Sequence, residues 1–95
     1  MRGKQRLIDR ETAETVAIQG LAFLAEEPAR LQRLLATTGL EPEDIRAQAE
    51  TPALMLAVLE HLAADESLLL VFAASRGIAP DSIGRAIRSL QAPQP

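Results

Sequence analysis

Apolar residues recur at every third or fourth position along almost the whole chain, and proline or glycine interrupts this pattern at intervals. A period of three to four residues is typical of amphipathic helices, and the interruptions indicate where each helix begins or ends. The pattern predicts six helices, at about residues 9–26, 28–38, 42–49, 52–63, 65–76 and 80–90. We therefore expect an all-α fold, a compact bundle of five to six short helices.

The helix boundaries follow from local chemistry. Proline suits the first helical turn because its fixed backbone angle is already helical and its missing N–H has no partner there. We expect four helices to begin this way, at Pro28, Pro42, Pro52 and Pro80. Thr51 and Asp65 are the predicted N-caps of the fourth and fifth helices, and Gly39 and Gly77 are the predicted ends of the second and fifth.

The segment "SLLLVF", residues 67–72, is also compatible with a buried strand. No partner strand is evident elsewhere in the chain, and an isolated strand cannot satisfy its backbone hydrogen bonds. We therefore interpret it as a helix. Because it is apolar on nearly every side, we expect it to be the central buried element of the bundle.

Two segments of the chain resemble each other at a shift of 38 residues. "LLATTGLEPEDIRAQA" (34–49) aligns with "FAASRGIAPDSIGRAI" (72–87), with identical Gly39/Gly77 and Pro42/Pro80. The chain can be divided into two three-helix units, about 14–49 and 52–87. Helix–glycine–apolar–x–proline–acid is a common corner, so duplication and convergence both remain explanations.

The length of 95 residues suits one domain. We assign residues 9–90 to a single helical domain, residues 1–8 to a flexible basic arm and residues 91–95 to a disordered tail. Since the chain has two Phe and neither Trp nor Tyr, we expect a core of leucine and alanine with close helix packing.

Charge is distributed unevenly along the chain. Residues 1–10 carry four basic residues and one acid, a charge of +3, whereas residues 11–95 carry six basic and twelve acidic residues, a charge of −6. An acidic body is not typical of a nucleic-acid-binding protein, so nucleic acid is not the favoured partner. The lack of cysteine, of a signal peptide and of any apolar run long enough to cross a membrane leads us to expect a cytoplasmic protein.

A helix-turn-helix-like protein that binds nucleic acid is the alternative. The corner before the last helix resembles such a motif, and Arg76, Arg85 and Arg88 would form its basic face. On this hypothesis Ser82 and Ser89 point outward with the arginines, while Ile83, Ile87 and Leu90 point inward.

No pattern of residues indicates an enzyme, so we predict no catalytic, cofactor-binding or metal-binding residues. His61 and Asp65 could share one helix face and a metal ion, but they supply two ligands at most, and Asp65 is better explained as a helix cap. The helices instead offer more apolar surface than a small bundle covers. Our leading hypothesis is a non-enzymatic protein-interaction or regulatory module, whose partner is another protein or a second copy in a homodimer. The predicted interaction patch is Leu54, Met55, Val58 and Leu62.

The segments "AIQGLAFLAEEP" and "LLLVFAASRGIAPDSIGRAI" resemble the small proteobacterial proteins grouped as domain of unknown function 3572. The resemblance covers about residues 12–90 and is carried by Gly20, Phe23, Leu24, Pro28, Phe72, Gly77 and Pro80. It implies a compact helical fold in a bacterial cytoplasm. It implies no activity, cofactor or catalytic residue.

Overall fold

Six helices follow one another in the computed structural model, which describes residues 8–92. They are α1 (Arg10–Ala25), α2 (Pro28–Thr38), α3 (Pro42–Gln48), α4 (Pro52–Ala63), α5 (Glu66–Arg76) and α6 (Ser82–Gln91). The predicted all-α bundle is confirmed. Most of the predicted basic arm and of the predicted tail, residues 1–7 and 93–95, lies outside the described residues.

Side-chain caps begin α4 and α5 as predicted. The Thr51 hydroxyl accepts a hydrogen bond from the Leu54 N–H at 3.3 Å, and the Asp65 carboxylate accepts one from the Leu68 N–H at 3.1 Å. Each bond satisfies a backbone donor that has no partner within the helix. Proline is the first residue of three helices, α2, α3 and α4.

The two glycine corners have the same backbone at the glycine but differ after it. Gly39 has φ +76° and Gly77 φ +67°, the left-handed conformation that glycine adopts without a Cβ penalty. Pro42 begins α3, whereas α6 begins at Ser82, two residues after Pro80. The prediction that Pro80 opens the last helix is therefore wrong.

A turn separates Pro80 from α6. The Ser82 N–H donates to the Ala79 carbonyl at 2.9 Å, and the Ile83 N–H donates to the Pro80 carbonyl at 3.2 Å. The Asp81 carboxylate does not cap the helix but accepts a hydrogen bond from the Arg85 guanidinium at 2.7 Å. The regular helix therefore starts two residues after Pro80, whereas in the first corner it starts at Pro42 itself.

The centre of the bundle is formed by α1, α4 and α6, each of which packs against the other two. Fully buried side chains from these three helices include Leu24, Val58, Leu59, Leu62 and Ile83. Phe23 and Phe72 are also buried, with ring centroids 5.3 Å apart, and connect α1 to α5. The core is therefore leucine- and alanine-rich with one aromatic pair, as the composition suggests.

Helix α5 is a peripheral element, so the prediction that it is the central one is wrong. Only Phe72 and Ala73 of this helix are buried. Leu70 is 47% exposed and Val71 48% exposed. The apolar run around the helix is wider than the face that α1 and α4 cover, so apolar side chains remain on the solvent side.

The internal repeat is only partly reproduced in the packing. Helix α2 packs against α1 and α4, and α5 packs against α4 and α1, as two equivalent units would require. The third helices differ, because α6 buries four residues against α1 and α4 whereas α3 buries none. The shared sequence therefore forms a similar glycine corner twice, but the helix after the second corner packs in the core, whereas the helix after the first corner does not.

The domain extends slightly beyond its predicted limits at both ends. Ile8, predicted to belong to the arm, is half-buried and packs against the core. Gln91, predicted to belong to the tail, is the last residue of α6. Of the helices described, none combines the length and apolar character required to cross a membrane.

Candidate protein-interaction groove

An open groove of about 400 Å³ lies between α1, α2 and α3. Its lining is almost entirely apolar, and we call it the α1–α3 groove. The lining residues are Ile18, Leu21, Ala22, Ala25, Leu31, Pro42, Ile45, Arg46 and Ala49. Apart from Arg46 these side chains carry no titratable group, so the surface is suited to apolar contact.

The groove exists because α1 is apolar on two opposite faces. From residue 17 to residue 25 its one polar side chain is Gln19. The face that carries Gly20 and Leu24 is buried in the core, and the face that carries Ile18, Ala22 and Ala25 lies on the other side of the helix. Ile18 is 45% exposed. The sequence signal for this surface is a stretch of α1 that is apolar on all sides, in a chain whose third helix is short.

Helix α3 does not close over this second face. It has seven residues, and none of its side chains is buried. Pro42, Ile45 and Ala49 point into the groove, and Ile45 is half-buried at its edge. Ile45 therefore differs from Ile83, its counterpart in the internal repeat, which is 1% exposed and belongs to the core.

Small side chains give the groove its width. Ala22 and Ala25 from α1 and Ala49 after α3 line it alongside the larger Leu21 and Leu31. A row of alanines leaves room for side chains from another molecule to approach the helix backbone closely.

The groove belongs to the acidic part of the molecule. Residues 8–50 contain nine acidic and four basic residues, a formal charge of −5. Residues 51–92 contain four acidic and three basic residues, a formal charge of −1. Glu43 and Glu50, adjacent in sequence to groove residues, are exposed. The part of the chain that forms the groove therefore has a negative formal charge, and Arg46 contributes a positive charge to the groove lining.

The predicted interaction patch is not at the surface. Leu54, Met55, Val58 and Leu62 are between 0% and 4% exposed and form the side of α4 that packs against α1 and α6. A partner cannot reach them in the folded domain, so the prediction of this patch is corrected. The large apolar side chains that are exposed belong to α1 and α5 instead, at Ile18, Leu70 and Val71.

The three predicted nucleic-acid-binding arginines have different environments. Arg76 donates a hydrogen bond to the Glu26 carboxylate at 2.8 Å, and Arg85 donates one to Asp81 at 2.7 Å. Arg88 is exposed and makes no ion pair with any of residues 8–92 that the structure describes. The proposed basic face is thus largely neutralised by its own acidic neighbours.

Arg76 also has a structural role. Its guanidinium carbon is 5.8 Å from the centre of the Phe23 ring, and that of Arg30 is 4.3 Å from the same centre. Cation–π contact of this kind favours a fixed position for both side chains. Ser89, predicted to point outward with the arginines, is 8% exposed and is therefore buried. The predicted outward position of Ser89 is therefore wrong, whereas Arg88 is exposed as predicted.

His61 and Asp65 line a second, more polar pocket of about 430 Å³ together with Thr37 and Thr38 at the end of α2. Partial burial lowers the pKa of His61, the Asp65 carboxylate opposes this effect, and Arg33 adds to it. Within residues 8–92, no group of three or more potential ligand side chains is arranged to hold a metal ion. The pocket offers hydrogen-bonding groups but no defined chemistry.

Comparisons with known proteins add one finding. The model of a family described as "Protein of unknown function (DUF3572)" matches residues 10–93. Comparison with curated proteins gives no match, and comparison with solved structures gives none. The residues that carry the resemblance include Gly20, Phe23 and Phe72, which all lie in the core. Evidence about function must therefore come from the surface.

Proposed function

This chain belongs to the DUF3572 family of proteins of unknown function, and from that premise we propose that it is a non-enzymatic protein-interaction module that binds its partner in the α1–α3 groove. The observation that carries the proposal is the second apolar face of α1. Its residues Ile18, Ala22 and Ala25 line an open groove instead of the core. Apolar surface that remains exposed in a folded domain is typical of a site for another molecule.

The composition of the groove favours binding over catalysis. Catalysis needs acids, bases or nucleophiles whose positions and pKa values are matched to a reaction. The lining residues of the groove include one titratable side chain, Arg46. A surface of this kind supports recognition through burial of apolar side chains, with Arg46 as a specificity contact.

The size of the groove indicates what kind of interaction to expect. A volume of about 400 Å³ accepts a few anchoring side chains and not a whole domain. Small interfaces of this type are typical of transient contacts, in which a few buried residues supply most of the affinity. We place this interaction in the cytoplasm, in agreement with a chain that has no cysteine.

The proposal can be tested with matched variants. Ile18 in the groove and Leu70 on α5 are large apolar residues of almost equal exposure, 45% and 47%. Peptides selected from a displayed library against the full chain should bind the Ile18→Ser variant about tenfold more weakly, as expected for loss of an anchoring contact. They should bind the Leu70→Ser variant as they bind the parent protein.

Circular dichroism and thermal unfolding would verify that both variants are folded. If the selected peptides lost affinity equally in both variants, or were insensitive to Ile18→Ser, the groove would not be the binding site. Competition for a single site by peptides of unrelated sequence would further support the α1–α3 groove as the binding site.

A further inference from the structure

We propose that the occupant of the α1–α3 groove is a basic amphipathic helix of a partner protein. This inference rests on the proposed function, because it identifies the chemistry of the partner for the same groove. It has three physical components: the shape of the groove, the charge around it and the single arginine in its lining.

The shape favours a helix. Amphipathic helices bind in grooves through apolar residues spaced at i, i+3 or i+4, and i+7. The α1–α3 groove is built from helices, and Ala22 and Ala25 provide a shallow row between the larger side chains Ile18 and Leu31. Ridges of side chains on one helix pack into grooves of this kind on another. Close approach is possible because the alanines project little beyond the backbone of α1.

The charge favours a basic partner. The part of the chain that forms the groove, within residues 8–50, has a formal charge of −5. Glu43 and Glu50 are exposed next to groove residues Pro42 and Ala49. Lysine or arginine residues that flank the apolar stripe of a helix would lie against these carboxylates. Complementary charge of this sort accelerates association and selects among partners.

The same charge disfavours a second copy of this chain as the occupant. A symmetric dimer through the groove would bring the exposed Glu43 and Glu50 of one copy close to those of the other, within segments whose formal charge is −5 each. Like charges at an interface oppose association, most strongly at low salt.

Arg46 adds a further condition, because a partner helix with one acidic residue in or near its apolar stripe would pair with this guanidinium.

The proposal can be tested with three designed helical peptides that share one leucine stripe. Their polar faces carry lysine, glutamine or glutamate, and fluorescence anisotropy measures their binding to the full chain. We expect the lysine peptide to bind about tenfold more tightly than the glutamate peptide at low salt, and the difference to shrink as salt is added. The glutamine peptide should be intermediate.

Two pairs of variants locate the interaction. Ala22→Leu fills the groove and should abolish binding of the lysine peptide, whereas Ala74→Leu, the same change on the exposed side of α5, should leave it unchanged. The double variant Glu43→Gln/Glu50→Gln should weaken binding of the lysine peptide several-fold. The control Glu60→Gln/Glu66→Gln removes two exposed charges from α4 and α5 and should have little effect.

The outcomes separate the two proposals. If all three peptides bind equally well and Ala22→Leu abolishes binding, the groove is a binding site but the basic specificity is wrong. If no peptide shows binding that depends on Ala22, both proposals are wrong. Concentration-dependent dimerisation of the full chain that is lost in Ala22→Leu would identify a second copy as the occupant and overturn the proposal of a basic partner helix.

A triple variant with Arg2, Lys4 and Arg6 changed to Gln tests whether the chain's own basic residues occupy the groove. A tenfold gain in peptide affinity in this variant would identify them as the occupant instead.

Discussion

Gly20 lies where α1 comes closest to α4. A Cβ atom at this position would be 2.9 Å from Leu62 Cδ1 and 3.2 Å from Val58 Cγ1, both on buried side chains. Gly84 in α6 is also within a helix, but a Cβ atom there would meet only the Arg88 guanidinium at 3.7 Å. Substitution of Gly20 therefore changes both packing and helix propensity, whereas substitution of Gly84 changes mainly helix propensity.

Substitution of these glycines by alanine should have opposite effects on stability. We expect Gly84→Ala to stabilise the domain by about 0.5–1 kcal/mol, because alanine is the better helix former. Gly20→Ala has the same propensity gain, but overpacking costs about 1–3 kcal/mol, so the net effect should be destabilising. Urea unfolding monitored by circular dichroism measures both values. A stabilised Gly20→Ala protein would contradict the close contact between α1 and α4.

Residue-level features were the most predictable from sequence when they depended on local chemistry. The caps at Thr51 and Asp65 and the left-handed glycines at 39 and 77 follow from neighbouring residues alone. The environment of Arg76 could not be predicted, because its partner Glu26 is 50 positions away in the sequence. Long-range ion pairs depend on how helices are arranged, which local patterns do not specify.

At the scale of elements, the difference between α3 and α6 is the clearest departure from the apparent repeat. The corner sequences are similar, yet α6 has ten residues with four buried and α3 has seven with none buried. Ile45 and Ile83 are identical residues at equivalent positions of the repeat. Their substitution therefore compares the two environments directly.

We expect Ile83→Ala to destabilise the domain by about 2–5 kcal/mol, the usual cost of removing a fully buried isoleucine side chain. Ile45→Ala should cost less, about 1 kcal/mol, because the side chain is half-buried at the edge of the groove. Thermal and urea unfolding of both variants would test this. Equal costs would indicate that α3 packs as firmly as α6 and that the groove is closed in solution.

The existence of the helices and most of their boundaries could be predicted because periodicity and proline positions are local signals, although the start of α6 at Ser82 was not. Their arrangement could not. Helix α5 has a continuous apolar run, which favours burial, but the surface available on α1 and α4 covers only one side of it. The apolar surface of a helix sets the largest area that it can bury, and the packing of neighbouring helices determines how much of that area is buried. The groove could not be predicted from the sequence for the same reason, since it exists because α3 leaves part of the surface of α1 uncovered.

At the scale of the whole molecule, charge separates the two halves of the domain. Residues 8–50 have a formal charge of −5 and residues 51–92 a charge of −1. The arginines of the alternative hypothesis belong to the nearly neutral segment. Asp81 of the same segment binds Arg85, and Glu26 of the acidic segment binds Arg76. This distribution provides little attraction for a polyanion.

We accordingly expect no binding of labelled duplex DNA to the full chain in fluorescence anisotropy, even at low salt, where binding through phosphates is strongest. The triple change of Arg76, Arg85 and Arg88 to Gln should not alter the result. Binding that weakens steeply with added salt and disappears in the triple variant would instead support the nucleic-acid hypothesis.

The position of α6 has a consequence for how the protein is made. This helix packs against α1 and α4. The contacts that bury the first helix of the bundle are therefore complete only when the last helix is present. During synthesis on the ribosome, α1 and α4 emerge long before the helix that covers them. Contacts between segments so distant in the chain require closure of a long loop, which slows folding. The part of α1 that α6 covers therefore stays exposed until translation has passed residue 91, and during that interval it is accessible to chaperones and to aggregation.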